Sequence, residues 1–138
     1  MPFQNPPGAD IKRLLETAKT IAVVGLSPKP ERPSHGVARG MQRFGYRIIP
    51  VNPGHAELLG EKSYPDLLRL PRPVDLVDVF RSPEHVDEVV DQCIARKLPA
   101  LWLQEGVVNE KAAQRARDAG MFVVMDRCLF KDYLLHMN

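Results

Sequence analysis

The 138-residue chain has little of several things, and each shortage excludes a class of protein. Its two cysteines, Cys93 and Cys128, are too few for a disulfide framework and do not have the spacing of a zinc site. They fit a reduced, cytoplasmic setting. The four histidines, His35, His55, His85 and His136, are scattered at no metal-ligand spacing, so no metal is expected. No apolar run approaches the roughly 20 residues that span a bilayer, so no membrane span is expected. Charge of one sign is also missing. Nineteen basic against 17 acidic residues leave a formal net charge of +2, which gives no argument for nucleic acid. The start, Met-Pro-Phe-Gln-Asn-Pro-Pro-Gly, lacks the basic and apolar stretches of a signal peptide and reads as a loose arm over residues 1–8. Repeats, low-complexity tracts and linkers are absent as well, so residues 1–138 are read as one domain.

What is present is a hydrophobic fraction of 44%, enough for a real core, arranged in a regular alternation. Short apolar runs at Ile21–Val24, Arg47–Val51, Val74–Phe80, Ala100–Leu103 and Met121–Met125 lack polar alternation, as strands buried on both faces do. Helical spacing fills the gaps. Asp10 is a candidate N-cap for a helix carrying Ile11, Leu14, Leu15 and Ala18. Val37, Met41 and Phe44 mark a second helix, and Val86, Val89, Val90, Cys93 and Ile94 a third. Ala112, Ala113, Ala116 and Ala119 mark a fourth, closed by Gly120, and a last helix runs from about Leu129 to Leu135. This alternation predicts a three-layer, Rossmann-like α/β fold with a five-stranded parallel sheet, in the order 3-2-1-4-5.

In such sheets ligands bind beyond the carboxyl ends of the strands, where the strand order reverses. The segment Val24–His35 follows the first strand, and its position predicts a phosphate site. Gly25 permits a tight turn, Ser34 is a candidate cap for the next helix, and the free N–H groups of that helix favour an anion. Lys29 and Arg32 add two cations, the second able to grip a phosphate with both arms of its guanidinium. The alternative is a connecting loop with solvated charges. A plain NAD site is disfavoured, because Ser27 stands where the second glycine of G-x-G-x-x-G belongs. The second strand also ends Val51-Asn52-Pro53, with no acid for a ribose hydroxyl. A ligand with an extra phosphate fits better, and NADP and coenzyme A both qualify on charge.

The run Gly-Leu-Ser-x-Lys-Pro-x-Arg-x-Ser at Gly25–Ser34 resembles the small single-domain coenzyme A-binding proteins of bacteria and archaea. Pro50-Val51-Asn52-Pro53, Val77-Asp78-Val79-Phe80-Arg81, Trp102-Leu103-Gln104-Glu105-Gly106 and Met125-Asp126-Arg127-Cys128 fit that family too. More distantly, the chain is similar to the N-terminal domain of the succinyl-CoA synthetase α subunit. The resemblance implies coenzyme A, or an acyl-CoA, as the cofactor. It places Gly25, Leu26, Ser27, Lys29, Arg32 and Ser34 around the phosphates, and Asn52 and Pro53 beside the adenosine half. Phe80 and Arg81 would wall the ligand, and Gln104 and Gly106 would lie near the pantetheine end. His55 stands where the synthetase has a lysine, and a neutral imidazole is a weaker phosphate partner near pH 7. The synthetase's phosphorylated histidine belongs to a second domain that this sequence lacks, so the resemblance carries over binding and not catalysis.

Other residues admit two readings. His35, at the start of the phosphate-side helix, is a candidate ligand contact or a surface residue. Cys128 is a small packing residue, or a thiol that reacts with the pantetheine thiol when oxidised. Asp75, Asp78, Glu105 and Asp126 form no constellation with a nucleophile, so no catalytic residue is assigned. Trp102 is expected to pack on the sheet. Two other functions stay open: an NADP-linked oxidoreductase, although Tyr46, Tyr64 and Tyr133 lack the Tyr-x-x-x-Lys partner, and a regulatory interaction protein that senses CoA. A homodimer is the default assembly from the frequency of two-fold oligomers alone, and a protein partner is left open.

Overall fold

Residues 2–137 are described by the computed structural model. The five apolar runs form strands β1 (Thr20–Val24), β2 (Arg47–Val51), β5 (Leu76–Val79), β6 (Ala100–Leu103) and β7 (Phe122–Met125). All pair in parallel in one sheet, in the order β2-β1-β5-β6-β7. A two-stranded hairpin, β3 (Glu57–Leu58) and β4 (Glu61–Lys62), lies between β2 and β5 and was not foreseen in the sequence. Helices α1 (Gly8–Thr17), α2 (Pro33–Arg43) and α5 (Leu129–His136) bury Ile11, Leu15, Ala38, Met41 and Leu129 against one face of the sheet. Helices α3 (Val86–Ala95) and α4 (Glu110–Asp118) bury Val86, Val90, Cys93, Ala112 and Ala116 against the other. The three-layer Rossmann-like arrangement therefore stands.

The strand order does not. The third long strand, β5, pairs with β1 on the side away from β2, so the order is 2-1-3-4-5 and not 3-2-1-4-5. The outer edge of β2 is already occupied. Tyr64 N–H donates to the Pro50 carbonyl at 3.0 Å and its carbonyl accepts from Asn52 N–H at 2.8 Å. Pro50 itself has no N–H to give a neighbour, which suits an edge strand and not a central one. At the other side, Asp75 ties β5 to β1. Its carboxylate accepts from Lys19 N–H at 2.8 Å and Thr20 N–H at 3.0 Å. Partial burial pushes that carboxyl up, but these bonds, the Thr20 hydroxyl and the Lys19 charge outweigh it and hold it below its ordinary value.

Three local expectations also change. Helix α1 begins at Gly8 after Pro7, so Asp10 lies inside its first turn, where a carboxylate suits the helix dipole, and is not the N-cap. Ser34 is likewise inside α2, whose cap position is Arg32 and whose first residue is Pro33. The arm is pinned from Phe3 to Asn5. Asn5 donates to the Met125 carbonyl at 2.9 Å and accepts from Met125 N–H at 2.8 Å, covering the free edge of β7. Arg117 lies 3.9 Å from the Phe3 ring centroid and donates to the Gln4 carbonyl.

One residue is out of keeping with its surroundings. Asp78, in the middle of β5 between Val23 and Trp102, is fully buried, and neither carboxyl oxygen has a hydrogen-bond partner among the described residues. Burial pushes its carboxyl well above the ordinary value, so the folded chain favours the protonated acid. The unfolded chain releases that proton at the ordinary value, so this group's contribution to stability falls as pH rises above it, up to the folded value. The Asp78→Asn variant removes the titration. Denaturant midpoints measured at about pH 5 and about pH 8 should show its stability gaining on the wild type as pH rises. An equal difference at both values would contradict this account of Asp78.

Candidate functional site

The site is built where β1 and β5 end side by side. Gly25 leaves β1 with φ +86°, a left-handed conformation, and its N–H donates to the Val51 carbonyl at 3.0 Å. A Cβ here would lie 2.6 Å from the Phe80 carbonyl oxygen and 3.2 Å from Arg81 Cδ. Only glycine permits the turn and the contact together. Leu26 then turns its side chain into the core, fully buried, and takes part in the loop through its backbone. Its carbonyl accepts from Asn52 Nδ2 at 2.8 Å, while Asn52 Oδ1 accepts from Gly54 N–H at 2.8 Å. Asn52 thereby clips the loop after β2 to the loop after β1.

The two loop serines hold the chain in shape. Ser34 Oγ, buried, accepts from Ser27 N–H at 2.9 Å, and Ser27 Oγ accepts from Lys29 N–H at 3.1 Å. Lys29 and Arg32 are exposed, and neither forms an ion pair among the described residues. The Ser34 N–H, in the first turn of α2, also has no acceptor among them. Two cations and an open helix amide therefore share one loop, an arrangement suited to an anion.

Arg81 borders two cavities. One, of about 530 Å³, has Gly25, Asn52, Pro53, His85, Glu88 and Gln92 on its walls. The other, of about 390 Å³, has Pro33, Phe80, Gln104, Gly106 and Cys128. Arg81 lines both and makes no ion pair among the described residues. In the second cavity Gln104 Oε1 accepts from Leu129 N–H at 3.0 Å, fixing the start of α5. Gly106, at φ +84°, donates its N–H to Asp126 Oδ1 at 2.8 Å. Behind them the Trp102 indole donates to the Arg127 carbonyl at 2.8 Å, and Arg127 grips Asp132 at 2.6 and 2.7 Å. These bonds fix the turn that carries Cys128.

Gly25, Asn52, Pro53, Phe80, Arg81, Gln104 and Gly106 thus meet around the paired cavities, while Ser27, Lys29, Arg32 and Ser34 lie in the loop whose Gly25 and Pro33 reach them and do not line either cavity. Two other candidates do not join them. His55 is exposed beyond the cavity walls. His35 lines a separate space of about 400 Å³ on α2 with Arg39, Arg43 and Phe130. His85, Glu88 and Gln92 were missed, and the only sequence signal for them is their place just after β5, at the reversal of strand order. A further cavity of about 540 Å³ lies at the opposite edge of the sheet, beside Asp10, Arg13 and Asp75. It sets two carboxylates, Asp10 and Asp75, beside the one cation Arg13, a balance less suited to a phosphate.

The sequence matches the CoA binding domain family over residues 19–133, which takes in every strand of the sheet and both cavities. The chain belongs to this family. It is 45% identical to the uncharacterized protein YneT of Bacillus subtilis over 127 residues, covering 92% of this chain and 94% of that one. It superposes on a hypothetical protein from Pyrococcus horikoshii with a TM-score of 0.94 at 35% identity, covering 100% of this chain and 97% of that one. It is also similar to an ADP-forming acetate–CoA ligase of Archaeoglobus fulgidus, at 31% identity over 75 residues, 54% of this chain but only 11% of the ligase.

The close approach and positive φ of Gly25 predict the effect of a side chain there. The Gly25→Ala variant must move the Phe80 carbonyl and hold a left-handed alanine, a combined cost of about 2 kcal/mol or more. Chemical denaturation measures it. Stability equal to wild type would show that β1 and β5 need not approach so closely.

Proposed function

We propose that this chain binds coenzyme A, or an acyl-CoA, as one binding domain without catalytic machinery of its own. The observation that carries the reading is the pair of cavities that share Arg81, one reaching Gly25 and the other Pro33, the two ends of a loop whose Lys29 and Arg32 form no ion pair among the described residues. The ligand has the matching form: a nucleotide half, a pyrophosphate and a long uncharged arm. In this reading the Gly25–Ser34 loop and Arg81 take the phosphates, the cavity beside Asn52 and Pro53 takes the adenosine half, and the cavity beside Phe80 and Gln104 takes the arm. Membership of the CoA binding domain family supports it, as does the similar segment in a ligase whose name includes CoA. The two cysteines are unbridged, which fits the reduced cytoplasmic setting we propose.

A ligand that binds only the folded chain raises stability by about 2.7 kcal/mol at a hundredfold excess over its Kd. Thermal unfolding with CoA, dephospho-CoA, acetyl-CoA, NADP and NAD at matched concentrations should show the largest shift with CoA or acetyl-CoA. A shift with CoA no larger than with NAD would remove the proposal. A larger shift with NADP would favour the oxidoreductase.

The phosphate assignment is tested separately. Arg32→Ala and Arg81→Ala should each weaken CoA binding by roughly 10- to 100-fold, as loss of a charge-assisted contact does, with little effect on the fold. Calorimetric titration measures this, and an unchanged Kd for either variant takes that residue out of the phosphate site.

A further inference from the structure

The cavity beside Phe80 is lined by a buried amide whose donor end has no partner among the described residues and by a largely buried thiol, Cys128, 8% exposed. Gln104 is only 4% exposed, and its Oε1 is held by Leu129 N–H. Its Nε2 donates to nothing among the described residues, yet it is not among the fully enclosed unpartnered atoms. The donor end of this buried amide is therefore turned toward the cavity that Gln104 lines. Cys128 lines the same cavity. It immediately precedes Leu129, whose N–H holds Gln104 Oε1, so Gln104 and Cys128 line the cavity from adjoining points of the chain's packing. Cys128 is also the cap residue of α5, so its place on the cavity wall is fixed by the start of that helix. The other thiol does not line this cavity. Cys93 is fully enclosed in the core, and burial pushes it up to about 12.

We propose that the cavity lined by Phe80, Gln104 and Cys128 receives the thiol end of the ligand and that Cys128 exchanges with the ligand's disulfide form, leaving it tethered by a mixed disulfide. The inference rests on the binding reading above. Gln104 Nε2 would donate to a carbonyl of the arm and set the sulfur beside Cys128. The Cys128 thiolate attacks one sulfur of CoA disulfide, a Cys128–sulfur bond forms, and the ligand's own S–S bond breaks. The second CoA leaves as a thiolate and takes up the proton that Cys128 lost. Cys128 is oxidised and one CoA sulfur is reduced, so no other oxidant is required. Under reducing conditions the tether is released and the chain binds its ligand reversibly. The site would thus bind reduced ligand reversibly and retain the oxidised form.

The wild-type chain is incubated with CoA disulfide and analysed by intact mass and by mapping of its peptides. The expected product carries one CoA less two hydrogens on Cys128, none on Cys93, and loses it to dithiothreitol. Because binding places the sulfurs together before reaction, the adduct should form at least about tenfold faster than with glutathione disulfide. The Cys128→Ser variant should gain no mass. No adduct, an adduct on Cys93, or equal rates with the two disulfides would overturn the inference. A parallel unfolding measurement of wild type with reduced CoA and reductant separates the two claims. Stabilisation by CoA without an adduct overturns only the exchange, and absence of both overturns the binding reading as well.

Discussion

The contact between Gly25 and the Phe80 carbonyl fixes the geometry on which the rest of the site depends. With a would-be Cβ at 2.6 Å from that oxygen, the ends of β1 and β5 can come together only at a glycine. From there the chain departs in two directions, Leu26 into the core under α2 and Arg81 to the walls of both cavities. A strand order with β1 and β5 adjacent places this divergence at the reversal point of the sheet. That is where a parallel sheet leaves room for a ligand.

Around that contact, polar groups divide into two kinds. Ser27, Ser34, Asn52 and the Oε1 of Gln104 are bonded within the chain, and each such bond contributes on the order of 1 kcal/mol to the arrangement of the loops. Lys29, Arg32, Arg81 and the Nε2 of Gln104 are not so engaged among the described residues. The first kind shapes the rim and the second is open to a partner. Asp78 belongs to neither. It lies on the α2 and α5 face of β5, the face that carries Phe80 and the second cavity farther along the strand, and it is held protonated there at a cost that grows with pH as the unfolded chain's carboxyl ionises.

Much of this was legible in the residues. The five strands and the helices beginning near Val86 and Leu129 follow from apolar runs and helical spacing, and Gly25 followed from its place after the first strand. Strand order was not legible from alternation, because right-handed crossovers permit either placement of the third strand. Pro50 was the available signal, since a strand that cannot donate belongs at an edge. Caps were misplaced at Asp10 and Ser34 because each residue type also serves inside a first turn or toward another loop. The pinned arm depends on Asn5 meeting Met125, 120 residues away, which local sequence does not reveal. The same holds for His35 and Leu26, whose directions are set by helix phase and packing rather than by their neighbours in sequence.

The central claim is that the ligand lies across the carboxyl edge of the sheet, over Gly25 and Arg81, and not in the cavity at the opposite edge. Backbone amide resonances followed during titration with CoA test it most directly. The account predicts shifts at Gly25, Ser27, Ser34, Arg81 and Gly106, with Asp10, Asp75 and Phe122 unmoved. Shifts concentrated at Asp10, Asp75 and Phe122, with Gly25 and Arg81 unchanged, would contradict it.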